Sequence, residues 1–117
     1  MRLDAHQHFW SYDAAQYPWI PPGSPLHRSW LPEDLAALQQ PLGFEGSIAV
    51  QARQVVGESD WLLGLADQHA NVKGVVGWVD LEASDVADRI ARLRALPAGE
   101  RLVGIRHIVH DEADEGW

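Results

Sequence analysis

Four short apolar or β-branched segments alternate with three amphipathic ones along these 117 residues, and that alternation restricts the fold more than any other feature of the chain. Arg2 to Phe9, Ser47 to Ala52, Gly74 to Val79 and Leu102 to Ile108 read as strands bounded by turn residues. The first helix opens at Pro32, carries Glu33 and Asp34 in its first turn, and is expected to stop at Pro41. The second spans about Ser59 to Ala70, where Trp61, Leu62, Leu65, Ala66 and His69 form one stripe. The third has Ser84 as its expected N-cap, with Val86, Ile90, Leu93 and Leu96 at helical spacing before Pro97 and Gly99 end it. The order βαβαβαβ predicts parallel strands joined by right-handed helical crossovers.

The 46% hydrophobic and 22% charged content excludes disorder and coiled coil and fits one domain over residues 1–117. A net charge of −8 provides no basic field, so neither a nucleic acid nor an anionic membrane surface is expected as partner. With no cysteine, any metal must be held by histidines and carboxylates. No apolar run approaches the ~20 residues of a membrane span, and a cytoplasmic location is expected. The stretch from Trp10 to Leu31 interrupts the alternation with four prolines and with Trp10, Tyr12, Tyr17, Trp19 and Trp30. A loop of that length is either functional or packed on itself, and self-packing is the expected role here.

Strand alternation sorts the candidate functional residues by face. In the second strand, Ile48, Val50 and Ala52 point one way, toward helices. Ser47, Ala49, Gln51 and Arg53 point the other, toward an interior that becomes polar at the carboxyl end, as in a barrel. In the first strand Leu3, Ala5 and Phe9 share one face, and Arg2, Asp4, His6 and His8 share the other. A dinucleotide fold is disfavoured because no G-x-G-x-x-G turn follows this strand. His6 and His8, roughly 7 Å apart at Cα, stand near enough to converge on one ion, or form a structural pair. Arg53 suits a carboxylate or a polarised carbonyl, or pairs with a surface acid. Arg106 and His107 point to opposite faces, so at most one projects straight into such a site. Trp78 lines the pocket or lies buried beneath a loop, and Trp30 stacks on a ligand or packs within its own loop. His27, His69 and His110 carry no functional expectation, and Asp111, Glu112, Asp114 and Glu115 read as a solvated charge run.

One ordered set of segments resembles a known family. Asp4-Ala5-His6-Gln7-His8-Phe9-Trp10, Tyr17-Pro18-Trp19-Ile20, Leu31-Pro32-Glu33-Asp34-Leu35, Val50-Gln51-Ala52-Arg53-Gln54, Gly74-Val75-Val76-Gly77-Trp78-Val79-Asp80 and Val103-Gly104-Ile105-Arg106-His107 are similar to the amidohydrolase-related family. More narrowly they resemble its sugar-lactone hydrolase branch, which includes L-fuconolactonases and L-rhamnonolactonases. The resemblance covers nearly the whole chain. It implies an α/β fold, a TIM-type (β/α)8 barrel of the metallo-dependent hydrolases, with His6 and His8 in the active site. Many relatives bind a divalent metal there, with zinc the expected ion, and some lactonases of the group work without one. Relatives place a further histidine in the second half of the barrel and an acid, the general base for water, after the last strand; neither is located in this chain. Binuclear members carry a carboxylated lysine on the fourth strand, where this sequence has Arg106 and His107, so a bridged metal pair is not expected.

A complete barrel takes ~250 residues, so the chain is expected to be an N-terminal half of about four βα units, incomplete at its C-terminus. Its exposed edges would allow a homodimer. The implied activity is a hydrolase that opens a sugar (aldono) lactone by water attack on the ring carbonyl. Arg106 and His107 are its catalytic candidates, and Gln51, Arg53, Trp78 and Trp30 its substrate contacts. The oxyanion would be stabilised by a metal on His6 and His8, or by Arg53 and His107. The isolated chain is expected to be largely inactive. The alternatives are metal-dependent decarboxylation of a small unsaturated or aromatic acid, and a non-catalytic half-barrel that associates with itself.

Overall fold

Successive strands are separated by connections long enough for a crossover, and all pair in parallel. The computed structural model describes residues 1–114 and 116–117. Strands β1 (Leu3–Gln7), β2 (Gly46–Val50), β3 (Val72–Gly77) and β4 (Leu102–Ile105) form one sheet in the order β1-β2-β3-β4. Helices α1 (Pro32–Gln39), α2 (Glu58–Gln68) and α3 (Val86–Arg94) lie between them in sequence. A doubly wound sheet would reverse strand order at a switch point and carry helices on both faces. Here the order is sequential, and Leu35 of α1, Leu62 and Ala66 of α2 and Leu93 of α3 share a single core with Ala49, Val75 and Leu102. The other face is open: Val103 is 62% exposed. One-sided cover and sequential order together define a segment of a barrel wall.

Strict alternation assigns several side chains to the wrong face. Asp4 pairs with Ser47 and Gln7 with Ala49, so β1 carries one residue more than β2 over this interval. Similar shifts put an extra residue in β3 before Gly74 and in β4 before Gly104. Each extra residue resets the period of two. Asp4 is thereby turned from the histidine face toward α1, where Gln39 donates to its carboxylate at 3.3 Å. In β2 the expected faces are exchanged. Fully buried Ala49 packs in the helix-covered core, whereas a Cβ on Gly74 would meet Ile48 and Val103 on the open side. The small side chains are on the helix face because α2 approaches there. A Cβ on Gly77 would lie 2.5 Å from the Ser59 hydroxyl of that helix. Val103 and Ile105 likewise part company, Val103 facing the open side and Ile105 packing against the core.

The helix ends also differ in detail. Pro41 does not stop the first helix outright. The chain tightens into a 3-10 turn, Gln40–Leu42, and ends at Gly43 in the left-handed region (φ 74°). The cap position of α3 is Asp85 rather than Ser84, and its carboxylate pairs with Arg89 at 2.7 Å instead of capping. The loop after β1 packs on itself: Trp10 and Trp30 bridge by reciprocal backbone hydrogen bonds of 3.1 and 3.0 Å, and Trp10, Tyr17 and Ile20 form a second small core. Among the described residues no helix is long and apolar enough to cross a membrane.

Candidate active site

The carboxyl ends of the strands gather most of the residues singled out from the sequence. At the end of β1, His6 and His8 emerge together, their Nε2 atoms 3.3 Å apart and their rings edge to face. The Nδ1–H of His8 donates to the carbonyl of Val50 at 2.9 Å. That bond places the neutral ring's proton on Nδ1 and leaves the Nε2 lone pair directed at His6. Burial is the main cause that lowers the His8 pKa below the usual imidazole value, against the opposing effect of the Val50 hydrogen bond.

Two imidazoles bound to a tetrahedral ion at about 2.05 Å each would have nitrogens about 3.3 Å apart, which is the spacing found. A carbonyl fixing the remote ring nitrogen is the usual support for such a ligand. The pair therefore fits a divalent metal in spacing, tautomer and orientation. It supplies two ligands; among the described residues no cluster of three or more histidine, aspartate or glutamate groups is assembled.

Arg106 follows β4 and lines a cavity of about 210 Å³ with His8, Tyr17 and Ala52. Its Nη2 donates to both the backbone carbonyl and the side-chain oxygen of Gln51, at 2.7 and 2.6 Å. Gln51, fully buried, returns a bond from Nε2 to the Arg106 carbonyl at 3.4 Å. Gln51 thus orients the guanidinium, while the buried Nε of Arg106 has no protein acceptor.

His107 takes a different course, as opposite faces require. The indole Nε1–H of Trp78 donates to its Nδ1 at 3.1 Å, so its own proton is on Nε2 and reaches Glu112 at 2.6 Å. The Trp117 indole stacks on the ring at 3.9 Å. Both imidazole nitrogens are hydrogen-bonded within the chain. Glu112 is therefore no part of a solvated charge run. It accepts from His107 and from Gln54 at 3.3 Å, because β4 delivers His107 beside it. No spacing rule exposes that pairing in the sequence. Glu115 of the same run lies outside the described residues.

Arg53 and Trp30 are each engaged by neighbouring side chains or carbonyls, and Trp30 lines a second cavity, of about 190 Å³, together with His8. The Arg53 guanidinium is held by fully buried Glu58 at 3.0 Å, by Gln16, and over the Tyr17 ring. It ties the aromatic loop and the end of β2 to the start of α2. Trp30 donates to the Pro25 carbonyl, and Arg28 lies 3.9 Å over its ring.

A one-sided parallel sheet with converging imidazoles at its carboxyl edge is the layout of a barrel hydrolase. The chain belongs to the amidohydrolase family, whose model, described as Amidohydrolase, matches residues 3–117. It is 47% identical over 115 residues to an L-fucono-1,5-lactonase of Burkholderia multivorans, with 97% of this chain and 38% of that protein covered. An L-fucono-1,5-lactonase of Burkholderia ambifaria is 35% identical over 117 residues, covering 99% and 39%. The crystal structure of a Burkholderia multivorans amidohydrolase with bound zinc superposes with a TM-score of 0.86 at 46% identity, over 97% of this chain and 39% of that one. A second crystal form, with bound HEPES, matches equally. The chain thus spans about two fifths of the length of these relatives, and its sheet corresponds to the N-terminal part of an amidohydrolase (β/α)8 barrel.

Proposed function

We propose that this chain forms one side of the active site of a hydrolase that opens an aldonolactone, with a six-membered L-fuconolactone ring as the model substrate. The observation that carries the reading is the convergence of His6 and His8 at 3.3 Å beside the Gln51-oriented guanidinium of Arg106. The lactonase names of the relatives support it. His6 and His8 would hold a divalent cation, zinc by the example of the related amidohydrolase structure, and the cation would supply Lewis-acid polarisation of the carbonyl.

The chain's own residues then divide the work. Arg106 presents positive charge where negative charge develops on the carbonyl oxygen as water attacks. Gln51 keeps it from swinging away. His107 is a positioning residue: with Trp78, Glu112 and stacked Trp117 it ties the ends of β3 and β4 together and so sets the backbone from which Arg106 projects. Arg53 braces the loop instead of meeting substrate. The base that takes the proton from water would come from elsewhere in the barrel, and the 117-residue chain by itself is expected to give only background turnover.

Ring opening releases a proton, so a pH-indicator assay follows it. Residues 1–117 placed over the matching part of the Burkholderia multivorans lactonase should hydrolyse L-fucono-1,5-lactone. His6→Ala or Arg106→Met in that chimera should each lower kcat/KM by about a hundredfold or more. A folded chimera that opens no lactone, or one indifferent to both substitutions, refutes the reading.

A further inference from the structure

The aromatic loop packs nearly all of its rings away, with one exception. Trp10 and Tyr17 are buried and Trp30 is partly so, yet Trp19 is 62% exposed. It is not simply loose. Tyr17 and Ile20, on either side, are 2% and 3% exposed, and a turn bonds the Ile20 amide to the Tyr17 carbonyl at 3.1 Å. Pro18 limits the backbone between them. A large apolar ring is therefore held out toward solvent by a buried anchor at each shoulder, and it lines the same 210 Å³ cavity as His8 and Arg106.

The cavity combines three chemistries. Arg106 brings a cationic group whose hydrogen bonds use Nη2 alone, with its buried Nε unpartnered. His8 brings the imidazole of the reacting centre, and Trp19 a flat apolar face. A six-membered sugar ring has matching parts, with oxygens around its rim and a patch of C–H groups on one face. Binding sites for such molecules join an aromatic wall to a few placed polar groups.

We infer that Trp19 is the stacking platform for the substrate ring, lying against its C–H face while Arg106 and the histidine pair meet the oxygens at its edge. This deepens the aldonolactone reading and rests on it. Because the anchors at Tyr17 and Ile20 order the indole before binding, little conformational freedom is lost when the ring arrives.

L-fucose in its pyranose form is the probe, since it has the ring but no acyl carbonyl to be hydrolysed. Saturation-transfer NMR and a titration are run on the lactonase chimera that carries residues 1–117, and on its Trp19→Ala and Trp19→Phe variants, with circular dichroism to verify the fold of each. The wild type should transfer saturation most strongly to the C–H protons of one ring face. Trp19→Ala should weaken binding about tenfold and abolish that pattern, whereas Trp19→Phe should keep the pattern and most of the affinity. L-fucitol, open-chain with similar hydroxyls, should bind wild type and Trp19→Ala alike. Binding of L-fucose that is equal in wild type and folded Trp19→Ala overturns the platform alone. Failure of the folded wild-type chimera to bind the pyranose at all overturns the platform together with the sugar-lactone reading beneath it.

Discussion

The Arg53–Glu58 pair separates a structural arginine from a substrate-binding one by a stability measurement. Glu58 is fully buried; its carboxylate accepts the Ala52 amide at 3.0 Å, and Arg53 Nε and Nη2 at 3.1 and 3.0 Å. Arg53→Met removes both charged donors and strands a buried carboxylate. Breaking a buried pair from one side costs about 3–5 kcal/mol. Two features reduce that figure here: Arg53 is 24% exposed, and the Ala52 amide still serves Glu58 after the change. A loss of about 2–3 kcal/mol is expected, a large part of a typical stability of about 5–15 kcal/mol.

With a urea m-value of about 1–3 kcal/mol/M, the midpoint should fall by about 0.7–3 M at unchanged m. Glu58→Gln keeps the shape and accepts the same amide, and should cost less, about 1–2 kcal/mol. The double variant should be less unstable than the sum of the two single losses by about 1–2 kcal/mol, because the second change removes the stranded charge. If Arg53→Met stays within about 0.5 kcal/mol of wild type and the cycle shows no coupling, the brace is disproved and Arg53 is free to act on a ligand.

Zinc titrated against a chromophoric chelator should bind the wild type at least about tenfold more tightly than His6→Ala or His8→Ala; equal affinity in all three removes the ion from this pair. Asp60 is held below the usual carboxylate range, chiefly by the Arg92 side-chain bonds at 2.8 and 2.9 Å that join α2 to α3. A depressed folded pKa stabilises above the unfolded value and fades as pH falls through the folded one. Arg92→Met should therefore shrink the acid-induced loss of stability below about pH 4, while costing under about 1 kcal/mol at neutral pH because both partners are largely exposed. Gly46→Ala would place a Cβ 2.2 Å from the Asn71 carbonyl and should cost about 2–4 kcal/mol in urea unfolding; a change within error would show that β2 can shift there. Among the described residues β1 and β4 are the outer strands of the sheet and Val103 is exposed on its open face, so these 117 residues on their own should associate as concentration rises in light scattering, and Val103→Lys should reduce this. A monomer at every concentration would count against it.

The residues differ in how much of their role the sequence exposed. The helix–strand order was legible because apolar periodicity is local, and it led to the correct count and direction of strands. The His6–His8 convergence was legible because residues two apart on a strand share a face. Asp4 was not, since a single extra residue before Gln7 reverses everything upstream of it and leaves no compositional mark. The β2 faces were misassigned for a related reason. Ile48 and Val50 look like helix-packing residues by hydrophobicity, but the interior of a barrel wall is itself apolar, and the small Ala49 shares the core with Leu62 and Ala66 of α2.

The same contrast runs through the charged residues. Arg53 and Arg106 are equivalent as letters, each near the carboxyl end of a strand, and only the position of acceptors tells them apart. A buried glutamate five residues on absorbs Arg53. Arg106 meets a neutral glutamine that orients it without cancelling its charge. Positive charge left uncompensated beside two imidazoles retains its full field for a developing oxyanion, whereas charge already paired with a carboxylate has little left to give. We therefore propose Arg106 for the reaction and Arg53 for the scaffold, on what each guanidinium touches. This requires Arg53→Lys to alter stability more than turnover in the lactonase chimera, and Arg106→Lys to do the reverse.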